Sequence, residues 1–155
     1  HSMTALEGLS GAAMVKRRFT QIRAIEKALA LARIEYADSG LWGRGNSGYL
    51  VSDPVGEQAI KSLEEIKAVV LNDGTLIKDP GEWVAVFKAT RSYFKHTPAD
   101  QIIVCRYLER KSVERTLLEI GYLSRKTFFT LQDQVVYFAL GVAEGLGLLN
   151  KKGGF

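Results

Sequence analysis

One amphipathic stripe near the carboxyl end limits what this chain can fold into. Its large apolar residues are separated by three, four, three and four positions: Phe128, Leu131, Val135, Phe138 and Val142. That spacing places them on one face of a long helix, and this face must be buried against other elements. Almost nothing in the chain alternates with the two-residue period of a strand, so the sequence predicts an all-α fold without a sheet.

A second pattern predicts an N-terminal helical hairpin within residues 1–75. Its first helix, Met14–Ala37, carries a stripe with a seven-residue repeat, formed by Val15, Ile22, Leu29 and Tyr36 with Ile25 and Ala32 between them. A glycine-rich loop over residues 38–53 then leads to a second helix, Pro54–Leu71. The stripe needs an apolar partner, which is either this second helix or a second copy of the chain. We favour a homodimer, while pairing within one chain stays open.

Residues 76–155 are predicted to form a helix-turn-helix domain. After a helix over Pro80–Lys95, a short helix spans Ser112–Ile120 and ends at Gly121, because glycine tolerates the left-handed backbone that follows many helices. Ser124 then opens the long helix, Arg125–Gly145, as its N-cap. A short helix, a glycine-containing turn and a longer helix that begins with small polar and basic residues are typical of a helix-turn-helix motif.

The start of the long helix carries most of the predicted DNA contacts. In a helix-turn-helix, the second helix enters the major groove with its N-terminal end, where cations and amides meet phosphates and base edges. Arg125, Phe129, Gln132 and Val136 are predicted to lie opposite the buried stripe. The predicted DNA-binding residues are Lys111, Ser112, Arg115, Ser124, Arg125, Lys126, Thr127, Phe129, Thr130 and Gln132. The predicted partner is double-stranded DNA, although the same spacing also fits a helical bundle with no DNA role.

Charge and composition give little support to functions other than DNA binding. The net charge of +4 is compatible with nucleic acid but also fits many proteins that do not bind it. The single cysteine, Cys105, has no histidine partner, His96 stands alone, and no cysteine and histidine spacing matches a zinc site. No apolar run approaches the roughly 20 residues that cross a bilayer. We therefore predict a protein that is not an enzyme, with no cofactor, no metal and no membrane partner.

Several short segments agree in order and spacing with a known family. They are Arg106-Tyr107 before the motif, residues 124–129 at the start of the long helix, Asp133, the run Val135-Val136-Tyr137, and the glycine-rich stretch 45–54 that ends in Ser-Asp-Pro. Together they resemble the sigma-factor region-four type of helix-turn-helix, and most closely the phage-encoded transcriptional regulators of the RinA and ArpU group of Gram-positive bacteria. Two features depart from that pattern: the turn over residues 121–124 is one residue longer, and Leu117 replaces a small residue.

The resemblance implies a function that the residues alone do not. It implies a phage or prophage late-gene activator that binds promoter DNA in the bacterial cytoplasm and contacts host RNA polymerase. A small terminase subunit, which recognises DNA for packaging, is an alternative because such proteins also combine a helix-turn-helix with long helices. A protein-interaction module without a DNA role is a third. Light scattering separates the first two, because a terminase subunit forms a ring and a regulator is a monomer or dimer.

Overall fold

A computed structural model of the chain describes residues 10–43 and 66–149, with side chains up to residue 35 in the first range. The described residues divide by their contacts into two units. The first contains the residues up to Arg23 and those from Glu82 onward, and the second contains the described part of Ala24–Gly81. Most of the described chain is helical, which confirms the predicted all-α fold class.

The helices and strands follow one another with short connections from residue 66 onward. In chain order they are α1 (Gly11–Thr20), α2 (Ile22–Gly43), β1 (Ala68–Val70), β2 (Leu76–Lys78), α3 (Pro80–Tyr93), α4 (Pro98–Ile103), a π-helical turn (Val104–Leu108), α5 (Val113–Ile120) and α6 (Arg125–Gly145). The helices predicted from Pro80, from Ser112 and from Arg125 are confirmed as α3, α5 and α6.

The helix predicted over residues 14–37 is two helices that meet at Gln21. The Gln21 N–H still bonds back to carbonyl oxygens of α1, and its side-chain oxygen accepts from Arg18 Nη1 at 2.9 Å. The predicted seven-residue stripe includes Val15, Ile22, Ile25 and Leu29, which are all buried within a single chain. A homodimer stays a prediction, but these four side chains are not free to form its seam.

A two-stranded antiparallel sheet corrects the prediction that the chain has no strands. Strands β1 and β2 pair so that Val69 and Ile77 are opposite each other and buried. In the turn between them, Asp73 Oδ1 accepts from the Thr75 N–H at 2.9 Å, and Gly74 adopts a positive φ of 91°. The end of the helix predicted over residues 54–71 is therefore a strand, while residues 54–65 of that helix lie outside the described residues.

Helix α1 packs with the C-terminal helices in the first unit. The fully buried Phe19 ring meets the Phe87 ring edge-on at 4.9 Å and the Tyr107 ring at 5.5 Å. At its start, α1 lies so close to α6 that a Cβ on Gly11 would be 2.6 Å from Leu140 Cδ1. The sequence pattern predicts that the residues of α1 belong to the N-terminal hairpin of residues 1–75. The rest of that hairpin depends on residues 44–65, which are not described, so the hairpin itself stays a prediction.

An ion pair and a π-helical turn place α4 next to the predicted DNA-binding motif. Arg91 of α3 donates two hydrogen bonds to the Asp100 carboxylate of α4, both at 2.9 Å. After α4, the π-helical turn buries Cys105 and Tyr107. The Lys111 N–H then bonds to the Cys105 carbonyl oxygen at 2.8 Å, which leads the chain directly into α5.

Candidate nucleic-acid interface

Helices α4, α5 and α6 enclose one apolar core and form the predicted helix-turn-helix with its supporting helix. Ile102 of α4, Ile120 of α5 and Phe128 of α6 are its buried centre. Partly buried apolar side chains close its edges: Val113, Leu117, Leu123 and Leu131. Leu117, which departs from the pattern of the resemblance by its size, is therefore accommodated at the edge of this core. The small side chain that is fully buried in α5 is its neighbour, Thr116.

The turn between α5 and α6 has the geometry that its glycine predicted. Gly121 has a φ of 82°, and its N–H donates to the Leu117 carbonyl oxygen at 2.9 Å. Leu123, two residues later, turns back to the core. Ser124 then has extended backbone angles and caps α6. The four-residue turn is thus compatible with a packed pair of helices.

We expect Gly121→Ala to lower the free energy of unfolding by about 1–3 kcal/mol, because a side chain strains a backbone with positive φ. Space is not the reason, since the nearest atom to an added Cβ is the Leu118 carbonyl oxygen at 3.9 Å. Chemical denaturation measures the change. Gly141→Ala is the matched control: this glycine lies inside α6 with open space around it, and alanine should be neutral or stabilising there. Equal effects of the two substitutions would contradict the assigned turn geometry.

Two of the predicted DNA-binding residues are helix caps. Ser112 Oγ accepts from the Arg115 N–H, and Ser124 Oγ accepts from the Thr127 N–H, both at 3.0 Å. Each bond satisfies one of the free amides at the start of its helix. The Ser124 hydroxyl also lies 3.0 Å from Thr127 Oγ1, so these two polar groups already contact each other. Their structural role is established, and a DNA contact would be additional.

The exposed residues of the first turns of α6 form a mixed basic and aromatic surface. Arg125, Lys126, Thr127, Phe129 and Thr130 are all exposed, as predicted. The Arg125 guanidinium lies 5.8 Å from the centre of the Phe129 ring, and that ring is 40% exposed. The Thr130 hydroxyl donates to the Lys126 carbonyl oxygen at 3.0 Å, although its oxygen can still accept a bond from elsewhere.

Gln132 is a correction, because its side chain is buried rather than exposed. Only 8% of the residue is exposed, and its Oε1 atom has no hydrogen-bond partner within the described structure. Val136, also predicted to face outward, is buried too. The buried face of α6 follows Phe128, Gln132, Val135, Val136, Ala139 and Ala143. It is turned from the predicted stripe, since Leu131, Phe138 and Val142 are only partly buried. Both α1 and α4 pack against α6, and the sequence pattern of α6 alone does not reveal these contacts.

Carboxylates that the sequence reading missed accompany most of the predicted cations. Lys111 Nζ lies 2.7 Å from both Glu109 and Glu119, and Arg115 Nε lies 3.1 Å from Glu119. On the other helix, Arg125 Nη2 lies 3.1 Å from a Glu114 oxygen. The spacing of four residues between Arg115 and Glu119 was a signal for one of these pairs. Lys126 has no ion pair within the residues that the structure describes.

The titration of these groups reflects the same contacts. The pKa of Lys111 is raised well above its ordinary value, first by its hydrogen bond to Glu109 and then by that to Glu119. The pKa of Glu119 is lowered, chiefly by the bond from Lys111. The pKa of Glu114 is lowered by its own backbone N–H and then by Arg125. All three groups are therefore charged at neutral pH, and the surface between α5 and α6 carries both signs.

One group of three potential metal ligands comes together in the described structure, but it already holds a cation. Ligand atoms of Cys105, Glu109 and Glu119 lie within 4.8 Å of one another. The Lys111 ammonium binds both carboxylates at 2.7 Å. Cys105 is buried, as predicted, and desolvation raises the pKa of its thiol above the ordinary value. The thiol is thus protonated, and the arrangement is that of an ion pair beside a small apolar residue.

Comparisons with protein-family models, with curated proteins and with solved structures gave no match. Within the described ranges, no helix combines the length and the apolar character needed to span a bilayer.

Proposed function

We propose that this chain binds double-stranded DNA sequence-specifically, with α6 as the recognition helix and α4 and α5 as its support. One observation carries the proposal. A capped helix starts on a packed three-helix core and presents two cations, two hydroxyls and an aromatic ring on its first exposed turns. Cations and free amides at such a helix start suit phosphates, and arginine suits guanine edges.

The first exposed turns of α6 offer different contacts for base edges and for backbone phosphates. Arg125 can form two parallel hydrogen bonds with guanine, and the exposed Phe129 ring can pack on a thymine methyl group. Lys126, as a compact charge without an ion pair in the described structure, suits a phosphate. The Thr127 and Thr130 hydroxyls can serve as further polar contacts. These different contacts favour sequence-specific binding over a purely electrostatic one.

Replacing Arg125 and Lys126 together with alanine should weaken DNA binding without unfolding the protein. Loss of a base contact should cost about 1–3 kcal/mol of discrimination, and loss of a phosphate contact should lower the salt slope by about one. Fluorescence anisotropy with a duplex selected from a random pool, at several salt concentrations, measures both effects. Lys88→Ala with Lys95→Ala is the control, because both lysines are exposed outside the motif. Unchanged binding by the first double variant would overturn the proposed interface.

The resemblance to phage late-gene regulators extends this proposal to transcription. On that reading, the chain binds a promoter in a bacterial host and recruits or repositions RNA polymerase, and a homodimer would pair two half-sites. Transcription from the selected duplex with purified bacterial polymerase tests this step. A protein that selects a sequence but leaves transcription unchanged would keep the DNA-binding proposal and remove the regulatory one.

A further inference from the structure

We infer that Glu114 and Glu119 of α5 weaken sequence-independent binding at the proposed DNA site by holding its cations while DNA is absent. This inference rests on the proposed function. On this inference, each carboxylate competes with DNA phosphates for the cation that it binds. Binding to random duplex is then weak, while a duplex with the correct bases gains enough from base contacts to displace the carboxylates.

The contacts show how two side chains reach three cations. The Glu119 carboxylate binds Lys111 through Oε1 at 2.7 Å and Arg115 through Oε2 at 3.1 Å. Glu114 Oε2 binds Arg125 Nη2 at 3.1 Å, across from α5 to α6. Of the four cations predicted to bind DNA, only Lys126 has no carboxylate partner in the described part of the chain. Glu109, which precedes α5, also lies 2.7 Å from Lys111, so the carboxylates of α5 are the partners of Arg115 and Arg125 and share Lys111 with Glu109.

The exposure of these pairs makes exchange with phosphate feasible. The side chains of Arg125 and Glu114 are 58% and 69% exposed, and that of Arg115 is 64% exposed. Lys111 and Glu119 are less exposed, at 26% and 35%, so exchange is easiest at Arg115 and Arg125. Exposed ion pairs are weak because water and salt screen them, so they contribute little to the free energy of unfolding. They also lie on the surface rather than in the three-helix core. Their arrangement around the proposed contact residues is therefore better explained by an effect on binding.

Repulsion explains why only DNA with the correct bases would stay bound. A displaced carboxylate stays attached to α5 and remains close to the phosphates, so it opposes binding to every sequence. Base contacts of Arg125 and Phe129 exist only on the correct sequence and can offset this repulsion there. The repulsion leaves the ratio of the two affinities unchanged, but it lowers both, so that only a duplex with base contacts stays bound at a given salt concentration.

The test compares two double variants that remove the same charge. Glu114→Gln with Glu119→Gln neutralises the two carboxylates and keeps their size. Glu82→Gln with Glu144→Gln is the matched control. Both glutamates are exposed and have no ion pair among the described residues; Glu82 lies in α3, and Glu144 lies in the last turn of α6, far along the helix from its proposed contact residues. Binding to random-sequence duplex is measured over a salt series, and thermal unfolding checks that each variant is folded.

For the Glu114 and Glu119 variant, we expect tighter binding to random duplex and a steeper dependence of log affinity on log salt. The slope should steepen by about 2, at about 0.9 for each of the two phosphates newly bound by Arg115 and Arg125, because Glu109 still holds Lys111. The control should change by less than about one. Equal changes in both variants, or no change in the first, would overturn the inference. Selection from a random pool by the unchanged protein tests the proposed function separately, so each idea can fail alone.

Discussion

Phe128→Ala is expected to lower the free energy of unfolding by about 3–5 kcal/mol. The ring is fully buried with Ile102 and Ile120 at the centre of the three-helix core. Its removal leaves a cavity where α4, α5 and α6 meet, and the lost dispersion contacts add to the lost burial. Urea denaturation followed by circular dichroism measures the change, and DNA binding should be lost at temperatures where the variant unfolds.

The adjacent phenylalanine provides a matched control for that experiment. Phe129 is 40% exposed, so Phe129→Ala should change stability much less while it removes a proposed base contact. Leu131→Ala should have an intermediate effect because Leu131 is only partly buried. Similar losses of stability for the two phenylalanine variants would show that α6 is turned differently about its axis.

Phe19→Ala is expected to have an effect of similar size, about 3–5 kcal/mol, although it lies more than sixty residues before α4 in sequence. Its ring packs edge-on against Phe87 and Tyr107, and none of its surface is exposed. Edge-to-face ring pairs add to the contribution of burial alone. Because Phe19 belongs to the first unit, its removal should destabilise the helices that carry the proposed DNA site.

Tyr137→Ala is a useful comparison for the Phe19 variant. Tyr137 is 72% exposed on α6, so its removal should leave the denaturation midpoint nearly unchanged. A small effect of Phe19→Ala, close to that of Tyr137→Ala, would indicate that α1 does not pack with the C-terminal helices in solution. The hairpin predicted for residues 1–75 would then regain support.

The helix-turn-helix was predictable because its signals are local. Ser112 and Ser124 occupy the caps, and Gly121 ends α5 with the positive φ that its position indicated. Each of these residues acts on backbone groups within a few positions of itself, so no knowledge of the rest of the fold was needed. The bounds of α5 and α6 therefore followed from the sequence.

The features that sequence reasoning missed depend on distant neighbours or on very short elements. Strands β1 and β2 have three residues each, which is too short for a two-residue alternation to stand out. Gln132 is buried although the pattern of α6 predicts exposure, and the helices that pack against α6, α1 and α4, come from other parts of the chain. The pair between Glu114 and Arg125 likewise joins two helices and has no fixed spacing in sequence.

The double contact of Glu119 has a consequence for how such a site would change over generations. Because this one carboxylate serves both Lys111 and Arg115, its loss in a single inherited substitution would release Arg115 and leave Lys111 with Glu109 as its remaining carboxylate partner. Loss of Glu114 would release one. On the proposed function, substitutions at these two glutamates would thus change the affinity for unrelated DNA by unequal amounts. The residues proposed to contact bases would stay the same.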